Sequence, residues 1–170
     1  SRRSPNGAWL QFNSTDDLFS ISDDRVSNIA TEWADFRPEV VMVEPFYLHW
    51  IALRAEALGR PLGPPRVVVS GYQLLGLAQR RALERLTNAP VRDLYGATDL
   101  GGGGAAIECS SGRCHVRCDH VLLEILDSDG RPLTSGVGHA AITTLANRVA
   151  PLMRYLVGDL AEWTTEECDC

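Results

Sequence analysis

Apolar residues recur at helical spacing over residues 23–36 (DDRVSNIATEWADF), where Val26, Ile29, Ala30, Trp33 and Phe36 fall on one stripe. Ser22, Asp23 or Asp24 can cap this predicted helix, and Pro38 stops it. A short apolar run at 40–43 predicts a buried strand, and Pro45 opens a second helix over about 46–58 that Gly59 ends. An all-apolar strand at 66–70 (RVVVS), an Arg- and Leu-rich helix at 75–86 and a third short strand at 91–95 complete the pattern. Residues 1–13 are expected to be irregular, punctuated by SRRSPNG. Strands without polar alternation imply burial on both faces, hence a parallel sheet covered by helices.

The periodicity changes after the four glycines at 101–104. Segments 120–126 (HVLLEIL), 140–145, 152–157 and 160–164 favour strands, with a turn at 127–130 (DSDG) and no helical stretch of convincing length. The expected fold class is therefore α/β: a parallel sheet flanked by helices, followed by a smaller antiparallel β subdomain. The division is placed at 1–104 and 105–170.

A chain of 170 residues, 45% hydrophobic and 22% charged, can bury a real core. Its net charge of -6 argues against a nucleic-acid partner, since phosphate backbones recruit basic faces. No apolar run approaches membrane-span length and the first residues lack a signal-peptide pattern, so no membrane association and a cytoplasmic location are the expectation. All 16 basic residues are Arg, which excludes any Schiff-base or phosphate-loop Lys from this chain.

Two segments carry candidate chemistry: 93–104 (DLYGATDLGGGG) and 151–160 (PLMRYLVGDL). Each ends an apolar run in small, hydroxyl and acidic residues, the groups that hold a nucleotide: N–H and hydroxyl for phosphate, carboxylate for ribose or Mg2+. Tyr95, Gly96, Thr98 and Asp99 lie in the first loop and Asp159 in the second. On local chemistry alone, the first is equally a turn with an N-capping Asp, and Asp159 a turn residue between two strands. The glycine run is not a dinucleotide fingerprint, because no helix pattern follows it. Five cysteines form two groups, Cys109, Cys114 and Cys118, then Cys168 and Cys170, with His115 and His120 inside the first. An odd count favours metal ligands over cystines. His49 and His139 have no evident partner, and His120 is expected to be structural.

YGATD resembles the Tyr-Gly-x-Thr-Glu motif of the adenylate-forming superfamily, and PLMRYLVGDL its later Tyr-Arg-Thr-Gly-Asp motif. ECSSGRCHVRCDH, LLEILDSDGRPL and GHAAITTL follow the order of the phenylacetate–CoA ligase-like branch, and VVVSGYQL stands where that branch has Gly-Ala-Glu-Pro. The resemblance runs from about residue 17 to 170. It implies that Tyr95 flanks adenine, Thr98 bonds the α-phosphate, Asp99 helps hold Mg2+ and Asp159 accepts from the ribose hydroxyls. Gly71 and Tyr72 would line the adenine side, while the stretches 45–49 and 101–103 would lie near the acyl group. It also implies zinc on Cys109, His115, Cys168 and Cys170, with Cys114 the rival ligand. The sequence departs from the pattern at Asp99 for Glu, at Gly71-Tyr72-Gln73, which lacks the Glu, and at Leu156-Val157 for Arg-Thr.

The implied reaction joins a small carboxylic acid, by family aromatic, to ATP, giving acyl-AMP and then a thioester of CoA or of a carrier-protein arm. No segment matches the family's phosphate loop; FNSTDD at 12–17 has hydroxyls but no glycine. The Lys-bearing lid is expected beyond Cys170. The chain thus resembles a core fragment of an AMP-forming acid–thiol ligase, whose partners include the remainder of its own polypeptide or a second copy. The alternative is a non-catalytic, zinc-stabilised domain that binds a nucleotide or a protein.

Overall fold

The computed structural model describes residues 2–12, 20–101 and 103–170. Gly102 and the hydroxyl-bearing stretch at 13–17 lie outside the described residues. The fold is α/β, in two compact units, Ser1–Val91 and Arg92–Cys170.

The first unit runs β1 (Arg2–Arg3), β2 (Leu10–Gln11), α1 (Asp23–Phe36), β3 (Val40–Val43), α2 (Pro45–Ala57), β4 (Val67–Ser70) and α3 (Leu77–Thr87). The expected irregular start is instead a small antiparallel hairpin, with Arg3 opposite Leu10. Side-chain hydrogen bonding makes it: Ser4 Oγ donates to Asn6 Oδ1 at 2.7 Å and accepts from Trp9 N at 3.1 Å. Helix α1 has the predicted bounds; Ser22 caps it by accepting from Arg25 N, and Val26, Ile29, Ala30 and Trp33 are buried. In α2, both oxygens of Glu44 accept first-turn N–H groups, from Phe46 at 2.9 Å and Tyr47 at 2.7 Å. Leu48, Ile51, Ala52 and Ala55 pack from this helix into the core that α1 shares, with Val68, Leu83 and Val91 in the same cluster.

Strands β3 and β4 pair in parallel, Val40 with Val67 through Val43 with Ser70. Val68 N–H donates to Pro90 O at 3.0 Å, just before the next strand begins. In β4, Val68 and Ser70 are fully buried. Burial on both faces does not hold for β3, where Val40 and Met42 are 60% and 59% exposed. Alternation turns Val41 and Val43 to the core and the other two residues toward an apolar groove of ≈ 740 Å³ that includes Trp9, Phe12 and Tyr72.

The second unit is β-rich: β5 (Val91–Tyr95, beginning at the last residue of the first unit), a 3-10 turn (Thr98–Leu100), β6 (Ala106–Glu108), β7 (Cys114–Val116), β8 (Val121–Leu126), β9 (Gly136–Thr144) and β10 (Tyr155–Trp163). β5, β6 and β7 form an antiparallel meander. β8, β9 and β10 form a second antiparallel sheet, order β10-β9-β8. Because Leu94 and Tyr95 pair with Ile107 and Ala106, the compact unit begins before the glycine run and not after it. The hairpin β6–β7 has too few apolar residues for periodicity to reveal. The expected strands at 152–157 and 160–164 are one strand, with a register shift between Leu156 and Leu160. Leu100, Ala105, Val121 and Ile142 form the buried core, with Tyr95, Leu152 and Val157 packed against it. Among the described residues no helix is long and apolar enough to cross a membrane.

Gly138 of β9 sits where a Cβ would lie 2.3 Å from Leu126 O, backbone that cannot swing aside. Gly138→Ala is expected to destabilise the chain by about 2 kcal/mol, read from the urea midpoint, an overpacking cost. Gly63→Ala, where a Cβ meets nothing within 4 Å, serves as the control and should change stability by less than about 0.5 kcal/mol.

Candidate functional site

The segment after β5 reverses sharply. Ala105 N–H donates to Tyr95 O at 2.7 Å, and a Cβ on Gly96 would lie 3.1 Å from Gly104 Cα. Two of the glycines therefore serve backbone packing: a Cβ on Gly104 would also strike the Leu94 side chain. Gly101 instead ends the 3-10 turn in the left-handed region at φ 81°, accepting no side chain without strain. Between these points the turn carries Thr98 and Asp99, both exposed.

The second acidic residue comes from a bulge. Between Leu156 and Leu160 of β10 the partner strand advances only from Ala141 to His139, and Gly158 takes φ 90°. A bulge of this kind re-aims the next side chain. It brings Asp159 onto the β5 loop, where Tyr95 Oη donates to Asp159 Oδ2 at 2.9 Å. A parallel link forms beside it: Tyr155 Oη donates to Asp99 Oδ2 at 3.1 Å. Tyr95 and Asp159 are thus joined by a hydrogen bond, and Gly96, Thr98 and Asp99 lie in the loop that follows Tyr95. Tyr155 escaped the sequence reading although it sits within RYLVGD; its signal was the aromatic position three residues before Gly158 in that motif.

Burial, then the hydrogen bond and negative charge of Asp159, hold the Tyr95 phenol well above its usual range. The hydrogen bond to Asp99, followed by its charge, raises Tyr155 as well.

Gly71 and Tyr72 belong to the first unit. Gly71 N–H donates to Val43 O at 3.1 Å, at the ends of β3 and β4. Tyr72 is 83% exposed at φ 75°, a strained conformation for a residue with a Cβ. Gln73, where the family has Glu, donates to the capping carboxylate of Glu44.

The β6–β7 hairpin and the chain's last residues build a second cluster. Cys109 closes the hairpin turn, accepting Gly112 N–H at 3.1 Å, and His115 lies on β7 opposite Ile107. Arg113 pairs with Glu166 at 2.9 Å and also donates to its carbonyl, pinning the terminal segment alongside. Cys109 Sγ lies 3.6 Å from Cys168 Sγ, and Cys170 Sγ lies 3.4 Å from His115 Nε2. All four donor atoms lie within 4.8 Å of one another. A tetrahedron with Zn–S near ~2.3 Å puts sulfurs about 3.8 Å apart, so these residues can hold such an ion. Cys114, next to His115 on the same strand, is not among these four. Desolvation opposes ionisation of Cys109, but backbone hydrogen bonds from Arg113 and Ser111, together with His115 and Cys168, lower its thiol to about 6. Hydrogen bonds to Cys168 and Cys109 raise Cys170 to about 11 and raise His115. His120 stands apart from this cluster, with Asp119 Oδ2 at 2.7 Å from its Nδ1.

No family model matches the chain. The phenylacetate-coenzyme A ligase of Thermus thermophilus is 35% identical over 145 residues, covering 80% of this chain and 32% of that protein. The Escherichia coli phenylacetate-coenzyme A ligase is 35% identical over 137 residues, 74% of this chain and 30% of the relative. The chain belongs to the phenylacetate–CoA ligase-like branch of the adenylate-forming superfamily. It spans about a third of the length of these curated relatives. Among solved structures, 2-hydroxyisobutyryl-CoA ligase in complex with 2-HIB-AMP and CoA has the same fold, with TM-score 0.77 and 18% identity over 87% of this chain and 34% of that one. The anthranilate CoA ligase AuaEII in complex with anthranoyl-AMP superposes with TM-score 0.55 and 19% identity, over 78% of this chain and 26% of that one.

The raised Tyr95 phenol has a pH consequence. A group whose folded pKa exceeds its unfolded value contributes stability that is complete below the unfolded value, about 10, and is lost as pH rises above it. In a phenolate absorbance titration, one of the 4 tyrosines should resist ionisation beyond the others. That late component should vanish in Tyr95→Phe and move down in Asp159→Asn. A titration unchanged in both variants contradicts the link.

Proposed function

We propose that the chain carries the adenosine- and α-phosphate-binding part of a carboxylate-activating, AMP-forming acid–thiol ligase. The observation that carries this reading is the pairing of Tyr95 with Asp159 and Asp99 with Tyr155, which unites two motifs in the family's order. The identity to ligases supports it and does not favour a non-catalytic domain.

In the intact reaction a carboxylate attacks the α-phosphorus of ATP, pyrophosphate leaves, and a thiol of CoA or a carrier arm then displaces AMP from the acyl-adenylate. Asp159 accepts from the ribose hydroxyls with the lone pairs that Tyr95 leaves free. The phenol fixes the carboxylate's orientation, and its ring flanks the adenine, with Gly96 admitting close approach. Thr98 donates its hydroxyl to an α-phosphate oxygen. Asp99, exposed and oriented by Tyr155, is a suitable oxygen ligand for Mg2+, whose contribution is to neutralise phosphate charge as it shifts. Asp in place of Glu brings that carboxylate one methylene closer to the turn backbone. An aromatic acid is the proposed substrate on family grounds, and the cytoplasm the proposed compartment.

Cys109, His115, Cys168 and Cys170 are proposed to bind a structural zinc, all four positions being filled by protein so that no site is left for a substrate. The ion would tie the last residues to the β6–β7 hairpin. One equivalent of zinc is expected by metal analysis of protein purified under reducing conditions. Cys168→Ser should lose it, whereas Cys114→Ser should retain it. Substoichiometric zinc in folded wild-type protein overturns the assignment.

For the activity, carboxylate-dependent pyrophosphate exchange by the full-length protein, with Mg2+ present, is the test. Asp159→Asn, which keeps the shape but removes the charge, is expected to lower exchange about 100-fold, the scale of one or two charge-assisted hydrogen bonds. Absence of exchange across a broad acid panel by the folded, full-length protein overturns the ligase reading.

A further inference from the structure

The Cys/His cluster places two half-buried sulfurs against each other, with Cys109 Sγ 3.6 Å from Cys168 Sγ. The other two donors meet separately, Cys170 Sγ lying 3.4 Å from His115 Nε2. A disulfide has an S–S bond of ~2.05 Å, so the facing sulfurs have to close by only about 1.5 Å.

The backbone allows that closure from one side. Cys109 is fixed in the hairpin turn, donating its N–H to Arg113 O at 2.9 Å and accepting Gly112 N–H at 3.1 Å. Cys168 lies beyond the end of β10 at Trp163, in a stretch, 164–170, that has neither helix nor strand. No strand ladder has to break when Cys168 moves toward Cys109. Arg113 meanwhile grips Glu166, two residues before Cys168, by its carboxylate at 2.9 Å and its carbonyl at 3.2 Å. That grip involves no sulfur, so it holds Cys168 beside Cys109 with or without an ion between them. A thiol positioned in this way reacts within the chain in preference to a thiol in solution.

We propose that Cys109 and Cys168 form a peroxide-sensitive dithiol whose oxidation to a disulfide expels the structural zinc. One thiolate attacks hydrogen peroxide: an S–O bond forms, the O–O bond breaks, and the departing hydroxide takes a proton to become water. The other thiolate attacks the sulfenic sulfur: the S–S bond forms, the S–O bond breaks, and a second hydroxide is protonated to water. The two sulfurs together lose two electrons and the peroxide gains them. Disulfide sulfurs are no longer thiolate ligands, so the ion keeps only His115 and Cys170, too few for a closed tetrahedral site. A covalent bridge thereby replaces the ionic clasp, and the last residues stay tied to the β6–β7 hairpin in both states. A dithiol reductant reverses the exchange. Zinc expulsion rests on the metal reading above, whereas the disulfide rests on the sulfur positions alone.

The test treats the full-length protein, purified under reducing conditions, with a small excess of hydrogen peroxide. Released zinc is followed with a chromogenic chelator, and the cross-link is mapped by proteolysis and mass spectrometry after the remaining thiols are alkylated. A Cys109–Cys168 peptide lighter by two hydrogens should form in step with the loss of about one zinc per cross-link. Dithiothreitol with added zinc should restore the starting state. The double variant Cys114→Ser, Cys118→Ser, altered only outside the cluster, should respond as the wild type does. Oxidation that joins Cys168 to Cys170, or that stops at sulfinic acid without a Cys109–Cys168 bridge, overturns the proposal, as does zinc retained through formation of the bridge. The bridge forming in protein that held no zinc at the start leaves the dithiol standing and removes the metal reading beneath it. Stoichiometric zinc in protein that peroxide does not bridge does the reverse.

Discussion

The hydrogen bond from Tyr95 Oη to Asp159 Oδ2 closes the second unit, joining residues 64 apart in sequence. It tethers the bulged end of β10 to the loop after β5. The carboxylate gains a fixed direction from a neutral donor, which leaves its charge undiminished. The Asp99–Tyr155 link repeats the arrangement with the roles exchanged between segments: here the acid comes from the β5 loop and the phenol from β10. Two crossed phenol–carboxylate bonds thus orient two acidic side chains, one on each segment.

Backbone geometry makes this possible at few positions. Gly158 supplies the left-handed residue of the β10 bulge, and Gly96 and Gly104 let the chain double back with backbone nearly touching backbone. The four-glycine run thus divides its labour between packing at Gly104 and turning at Gly101. On the far side of the same meander, the Cys/His cluster and the Arg113–Glu166 pair draw in the final residues, which have little apolar surface of their own.

Much of this was legible in the residues. The stripe of Val26, Ile29, Ala30 and Trp33 marked α1 to its ends, and the Pro45–Gly59 punctuation marked α2, because both helices are amphipathic or capped by local chemistry. The four metal-ligand candidates were named by resemblance and fall within one cluster. Other features depend on contacts that periodicity does not encode. The β1–β2 hairpin rests on Ser4 and Asn6 side chains, and β6 and β7 are three-residue strands defined by pairing alone. β3 looks doubly buried from VVMV, yet one face opens to a groove. The bulge that aims Asp159 hides in VGD, a tripeptide that reads equally as a turn.

The central claim is that Asp159, held by Tyr95, reads the ribose of a nucleotide. The direct measurement is calorimetric binding of AMP and of 2′,3′-dideoxy-AMP to the wild-type chain and to Asp159→Ala. The account predicts that removing the ribose hydroxyls weakens binding about 10- to 100-fold in the wild type, the range for hydrogen bonds to a charged group, and has little effect in the variant. Equal affinity of the wild-type chain for both nucleotides, or the same loss in both proteins, would contradict it.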